Sequence, residues 1–77
     1  MFNVTILTPG RELFEGQASS VRVPGDEGEF EVLDFHRSVI SLLIRGHIVI
    51  DQDIRIPIRG GVMNFTGDGF TALVEEQ

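Results

Sequence analysis

The sequence predicts an all-β fold, a sandwich or barrel of short strands. Three observations predict it. Chain breakers recur at even spacing: Thr8-Pro9-Gly10, Gly16, Pro24-Gly25, Gly28, Gly46, Asp51-Gln52-Asp53, Gly60-Gly61 and Gly67-Asp68-Gly69. The segments between them alternate apolar and polar residues, the period of a half-buried strand. The breakers leave no room for a helix longer than about two turns.

Taken in order, Phe2, Val4 and Ile6 share one face, with Asn3 and Thr5 on the other. Gly16, inside Leu13–Val23, marks a bulge or a corner. Glu29–Arg45 is the longest run without Gly or Pro. Val32, Phe35, Val39 and Leu42 could line a helix there, so a short helix over 35–43 is one reading. The preferred reading is a strand over Glu29–Leu33, a turn near Asp34–Arg37 and a strand from Val39. Phe30 and Val32 alternate with Glu29 and Glu31, and Ser38-Val39-Ile40-Ser41 is poor helix material. Ile54, Ile56 and Ile58 are expected to face inward together, with Arg55, Pro57 and Arg59 outward. Pro57 cannot donate to a ladder, so its strand is an edge or is bulged at that point. Gly60-Gly61 reads as a turn or tight strand packing. Phe70, Ala72 and Val74 close the chain with another inward face.

Seventy-seven residues allow one domain, spanning 1–77, with a small core. A net charge of -6 has the wrong sign for nucleic acid, which needs a basic stripe to release counterions. The same charge disfavours an anionic membrane surface, and no apolar run approaches the ~20 residues of a spanning helix. The N-terminus lacks the basic region of a signal peptide, so the expected compartment is the cytoplasm. There is no cysteine, which removes disulfides and thiolate metal sites. There is no lysine, which removes a P-loop lysine and the lysine of a carrier domain.

Five acids crowd into nine residues: Asp26, Glu27, Glu29, Glu31 and Asp34. They form a solvated acidic face, or a docking surface for a basic partner, since clustered like charge costs free energy that such a partner removes. A catalytic carboxylate pair is a third, weaker reading, because such a pair needs a concave and partly desolvated site. His36 and His47 alone do not supply the three or four ligands of a zinc site. Asp51-Gln52-Asp53 has the form of a metal-binding D-x-D, but Ile56 stands where a calcium loop needs glycine, and a hairpin turn explains it better. Gly60-Gly61 has no helix after it to hold a phosphate. No catalytic, cofactor or metal site is expected.

The order of segments resembles a known family. Ile6-Leu7-Thr8-Pro9-Gly10-Arg11, then Leu13-Phe14-Glu15-Gly16, then Ser20-Val21-Arg22-Val23-Pro24-Gly25-Asp26-Glu27-Gly28-Glu29-Phe30 follow its spacing. Val32-Leu33, His36, Gly46 and Gly60-Gly61-Val62 complete the pattern. The sequence resembles the N-terminal β-sandwich domain of the epsilon subunit of F-type rotary ATP synthases, from about Phe2 to Val74. The resemblance implies a flattened sandwich of about ten short, mostly antiparallel strands. It also implies a structural rather than enzymatic role in the central stalk, between the gamma subunit and the polar loops of the membrane c-ring. By that resemblance Glu29, with Asp26, Glu27 and Glu31, faces the c-ring loops and their arginine. Thr8, His36 and Ser41 fall at positions that look towards gamma. The complex would sit on the cytoplasmic face of the bacterial inner membrane, with this subunit peripheral and not inserted in lipid.

Three departures stand out. The family usually carries Pro-Gly before the histidine and Ala-Pro after it, where Asp34-Phe35 and Arg37-Ser38 stand here. The position after Phe30 is commonly glycine and is Glu31. The chain stops where most members continue into a pair of C-terminal helices that inhibit ATP hydrolysis and, in some members, bind ATP. It is thus either a naturally short member or a shortened form. The alternative reading is a free-standing acidic β-sandwich adaptor for a different basic protein, and a small carbohydrate-active or cofactor-binding domain is a third. With no lysine, phosphate loop or helical pair, no nucleotide binding is expected. Calorimetric titration with ATP should give no saturable heat at micromolar concentration; stoichiometric binding there would overturn the reading.

Overall fold

A computed structural model describes all the residues, Met1–Gln77. It is all-β. Eight strands form one hydrogen-bonded sheet: β1 (Phe2–Leu7), β2 (Glu12–Ala18), β3 (Ser20–Gly25), β4 (Gly28–Leu33), β5 (Val39–Leu43), β6 (Gly46–Ile50), β7 (Ile54–Thr66) and β8 (Gly69–Glu76). The count is eight rather than ten because two long elements absorb the difference. β7 runs unbroken for 13 residues through Gly60-Gly61, and β8 follows it for eight.

β5 and β6 together form one side of a long hairpin, and β7 returns along both. Ser41 pairs with Met63 and Leu43 with Gly61; after the interruption at Ile44-Arg45, Gly46 pairs with Ile58 and Ile50 with Ile54. The sheet thereby divides into two layers that share this hairpin. The first holds β2-β1-β8, the second half of β7, and β5. The second holds β4-β3-β6 and the first half of β7. All ladders are antiparallel except β1 with β8, which run parallel from Val4↔Phe70 to Leu7↔Leu73.

The inward rows meet as one core. Val4, Ile6, Met63, Phe65, Phe70, Ala72 and Val74 come from the first layer; Val21, Val23, Val32, Ile48, Ile50 and Ile58 come from the second. Phe2 caps one end with its ring edge-on to Phe65, 5.1 Å between centroids. Of 46 backbone–backbone hydrogen bonds, 39 lie in the ladders, so little backbone is free to flex.

Gly61 sits where β7 passes from one layer to the other. A Cβ on it would lie 2.4 Å from the Leu73 carbonyl oxygen and 2.8 Å from Val74 Cα. No other residue fits against that backbone, so the glycine pair is tight strand packing, as one of its two readings expected. The β7–β8 register also shifts between Ile58 and Gly60. Pro57 lies in the stretch of β7 that pairs regularly only with β6, opposite His47, so it occupies a local edge.

Two expectations need correction. Gly16 is neither bulge nor corner: it pairs regularly with Val4, the bulge falls between Ile6 and Leu7, and the corner comes at Ser19 between β2 and β3. The three isoleucines of β7 share a face as alternation requires, but not a depth. Ile58 is fully buried, Ile56 half-buried against the core, and Ile54 is 42% exposed. The face fades because Ile54 borders the hairpin tip, beyond the reach of the opposite layer. Ile58→Ala should therefore cost about 2–5 kcal/mol and Ile54→Ala under about 1 kcal/mol, with Ile56→Ala between them. Urea midpoints of the three variants in that order would support this register; equal midpoints would refute it.

Candidate functional site

The β3–β4 hairpin carries the acidic cluster. Gly25 and Gly28 close its ladder, leaving Asp26 and Glu27 as the two-residue tip. A side chain at Gly25 would collide with the Phe30 ring and the Gly28 carbonyl, each 2.8 Å from its Cβ, so the glycine keeps the hairpin closed. Glu29 and Glu31 point outward from β4, opposite Pro24 and Arg22. The acids are uninterrupted in sequence but not in space. Arg22 on the neighbouring strand reaches Glu29 at 4.0 Å, an exposed pair worth well under 1 kcal/mol. Asp34 pairs instead with the N-terminal ammonium at 3.0 Å.

The hairpin tip forms one wall of a groove of about 530 Å³, lined by Asp26, Glu27, Glu29, Phe30, Ile40 and Leu42. β5 makes the other wall and is held to the tip by the Asp26 amide donating to the Leu42 carbonyl. One wall is therefore acidic and the other apolar. Such a groove suits an amphipathic cationic segment better than a reacting small molecule, because its carboxylates remain solvated.

Ser41, Thr8 and His36 occupy three separate places. The Ser41 side chain lies on the inner side of β5, donates to the Leu42 carbonyl at 2.9 Å and lines the same groove as the acids. Thr8 closes the turn after β1: its hydroxyl accepts from the Gly10 and Arg11 amides at 3.1 and 3.0 Å. Arg11 in turn pairs with Glu76. His36 lies at the opposite end of the first layer, its ring edge-on to Phe65 at 6.0 Å. Its Nδ1 is 2.7 Å from the Arg37 carbonyl oxygen.

What links these positions is a feature that alternation along single strands hides. Across the outer face of the first layer, Leu42, Val62, Leu73 and Leu7 are successive register partners on four neighbouring strands. Leu42, 61% exposed, ends the row at the acidic groove, and Ile40, 74% exposed, stands beside it on β5 in the adjacent row. Thr8 adjoins its far end. The next row runs Ile40, Asn64, Thr71 and Thr5, polar on β7, β8 and β1, so the apolar stripe is bounded on those three strands. Only the pairing register could have shown it, because each leucine alone is an ordinary outward residue of an alternating strand.

The D-x-D motif is structural. Asp51 and Gln52 adopt φ of 51° and 66°, the left-handed pair of a tight hairpin turn. The Asp51 carboxylate accepts from the Ser19 and Ser20 amides at 2.7 and 3.1 Å, tying the β6–β7 turn to the β2–β3 corner.

The whole chain, residues 1–77, matches the family described as ATP synthase, Delta/Epsilon chain, beta-sandwich domain. The chain belongs to that family. It is 41% identical over 76 residues to the ATP synthase epsilon chain of Hyphomonas neptunium, covering 94% of this chain and 56% of that one. It is 36% identical over 77 residues to the epsilon chain of Parvibaculum lavamentivorans, covering 95% and 58%. The chain thus spans a little over half the length of these curated relatives. A chain in the cryo-EM structure of the Tetrahymena thermophila mitochondrial ATP synthase central stalk and c-ring shares the fold, with a TM-score of 0.81 at 14% identity. The match covers 97% of this chain and 63% of that one.

The turn before His36 carries a conformational cost. Phe35 adopts φ of 67°, in the left-handed region that favours glycine, with its ring fully exposed. The left-handed conformation is held although phenylalanine disfavours it by about 1–2 kcal/mol. Phe35→Gly should leave stability unchanged or raise it by up to ~1 kcal/mol, since relief of strain outweighs the added freedom of the unfolded chain. Asp51→Ala should lower it by about 1–3 kcal/mol, by orphaning the two serine amides, whereas Asp53→Ala should change it by under ~0.5 kcal/mol. Thermal melts of the three proteins check both statements.

Proposed function

We propose that the chain is a non-catalytic rotor subunit of a rotary ATP synthase, coupling the gamma subunit to the membrane c-ring during ATP synthesis and ion transport. The observation that carries this reading is the pairing of two unlike docking surfaces on one rigid body. The apolar stripe Leu42–Val62–Leu73–Leu7 meets the acid-walled groove at β5. A connector that turns with two partners needs two such surfaces and a backbone that does not yield between them.

In this reading gamma covers the apolar stripe, with Thr8 at one margin, Ser41 in the strand at the other and His36 beyond the end of the sheet. Contiguous exposed apolar side chains of this kind mark a protein interface. Asp26, Glu27, Glu29 and Glu31 face the c-ring loops, where an arginine pairs with Glu29 in a charge-assisted contact. The subunit is peripheral, on the cytoplasmic face of the bacterial inner membrane. Support also comes from the relatives, which are named ATP synthase epsilon chains. An acidic adaptor for another basic protein would use the groove but leave the apolar stripe without a purpose.

Reconstitution separates the two surfaces. Leu73→Thr combined with Val62→Thr should fold normally, since both side chains are outward and threonine suits a strand, yet lose gamma capture by more than tenfold. Glu29→Arg should capture gamma normally and dock poorly on the c-ring, because reversed charge repels the loop. Glu29→Gln should cost under ~1 kcal/mol, the value of an exposed pair. Normal gamma capture by the double variant, or unimpaired docking and coupling of Glu29→Arg at physiological salt, would remove the corresponding surface from the assignment.

A further inference from the structure

We propose that the outer face of the second layer docks an extended acidic segment of another protein. The inference does not rest on the rotor assignment. The molecule is acidic overall, with a net charge of -6 and only six arginines, yet four of these, Arg22, Arg45, Arg55 and Arg59, gather on or beside this face. Register brings them together. Arg22 on β3 pairs with Val49 on β6, and Val49 with Arg55 on β7. His47 and Pro57 form the next row, the exposed Arg59 lies at the irregularity of β7 between Ile58 and Gly60, and the exposed Arg45 immediately precedes β6.

These bases lack internal partners. Arg22 has the long contact to Glu29, while Arg45, Arg55 and Arg59 make no ion pair, although the chain holds twelve acids. Glu31 stands opposite Arg22 on β4, and Glu76 and Glu75 on β8 stand opposite Ile58 and Gly60 on either side of Arg59, yet none of them pairs with Arg45, Arg55 or Arg59. Three guanidinium groups without ion-pair partners raise the positive potential of this part of the face, and a carboxylate-bearing partner lowers it.

The spacing favours an extended polypeptide. Arg55 and Arg59 lie four residues apart on one strand, about 13 Å less the shortening at the intervening irregularity, which is within reach of acids three or four residues apart in an extended chain. Arginine's planar fork takes a carboxylate in two parallel hydrogen bonds, which a compact ammonium cannot. Val49, between Arg22 and Arg55, is only 5% exposed and so is covered by its neighbours, and no cavity opens between these residues. A nucleic-acid duplex or lipid surface presents a wide sheet of negative charge, and that would also meet the acids of β4 and of the Asp51–Asp53 turn. A single extended strand avoids both.

The test uses the whole chain labelled with nitrogen-15, titrated with a seven-residue peptide of alternating Glu and Val and with its Gln-for-Glu counterpart. The expected result is salt-sensitive amide shifts confined to Arg22, Arg45, His47, Arg55 and Arg59 with the acidic peptide alone. Arg55→Gln with Arg59→Gln should weaken that binding at least tenfold, whereas Arg37→Gln, outside this face, should not. A proton spectrum of each variant checks folding, and single Arg55→Gln or Arg59→Gln variants replace the double if it fails to fold. Any of four results overturns the proposal: no shifts at millimolar peptide, shifts elsewhere, equal binding by the glutamine peptide, or undiminished binding by the variants. Phosphatidylglycerol vesicles or inorganic phosphate giving the same shifts would overturn it too, in favour of a lipid headgroup or free-anion site.

Discussion

The close approach of Gly61 to the backbone of β8 is the constraint on which the architecture depends. β7 must serve both layers, and it does so while hydrogen-bonded to β5 and β8 at the crossing point. There the Leu73 carbonyl occupies the space a side chain would need. Without that approach the two layers would not be joined through one continuous strand. Their inward rows, which come together as a single cluster of fifteen buried side chains, would then have no fixed partner.

From that joint both candidate surfaces acquire their positions. β5 lies at the margin of the first layer and carries Ile40 and Leu42 outward. The same strand is stitched to β3 and the β3–β4 tip by the Ile44 amide donating to the Pro24 carbonyl and the Asp26 amide donating to Leu42. An apolar stripe and an acidic groove thus share a wall. The arginine-bearing face belongs to the other layer. Charge is sorted strand by strand, with acids on β2, β4 and β8 and arginines on β3 and β7, and a net charge taken over the whole chain conceals that sorting.

Much of the fold was legible because period-two alternation needs no tertiary information. Val4 with Ile6, and Phe70 with Ala72 and Val74, face the core as their spacing requires. The strand at Gly28–Leu33, the turn after it and the strand from Val39 were likewise read correctly over the competing helix, because β-branched residues and serine weighed against one. Depth was not legible. Ile54 obeys the alternation yet lies beyond the opposite layer, and no local pattern records where a layer ends. Nor was the corner at Ser19, which lacks Gly or Pro; it is held by the carboxylate of Asp51, thirty-two residues away. The acidic cluster was plain as composition, but Arg22 interleaves with it only across a ladder. The apolar stripe was invisible for the same reason, being a property of four strands in register and of none alone.

The parallel pairing of β1 with β8 has a consequence for the birth of the molecule. Val4 and Phe70 are neighbours in the first layer although they come from opposite ends of the chain. During synthesis β1 and β2 can form a hairpin early, and the second layer can assemble as its strands emerge. The strand that belongs between β1 and β7 is made after the other seven. Until it arrives, the inner edge of β1 is an unpaired row of amides and carbonyls beside a half-covered apolar face, open to pairing with other chains. Closing it requires the longest loop in the molecule, so the final step is entropically the most demanding. The interval before β8 is available is therefore when a nascent chain is most in need of protection from its neighbours.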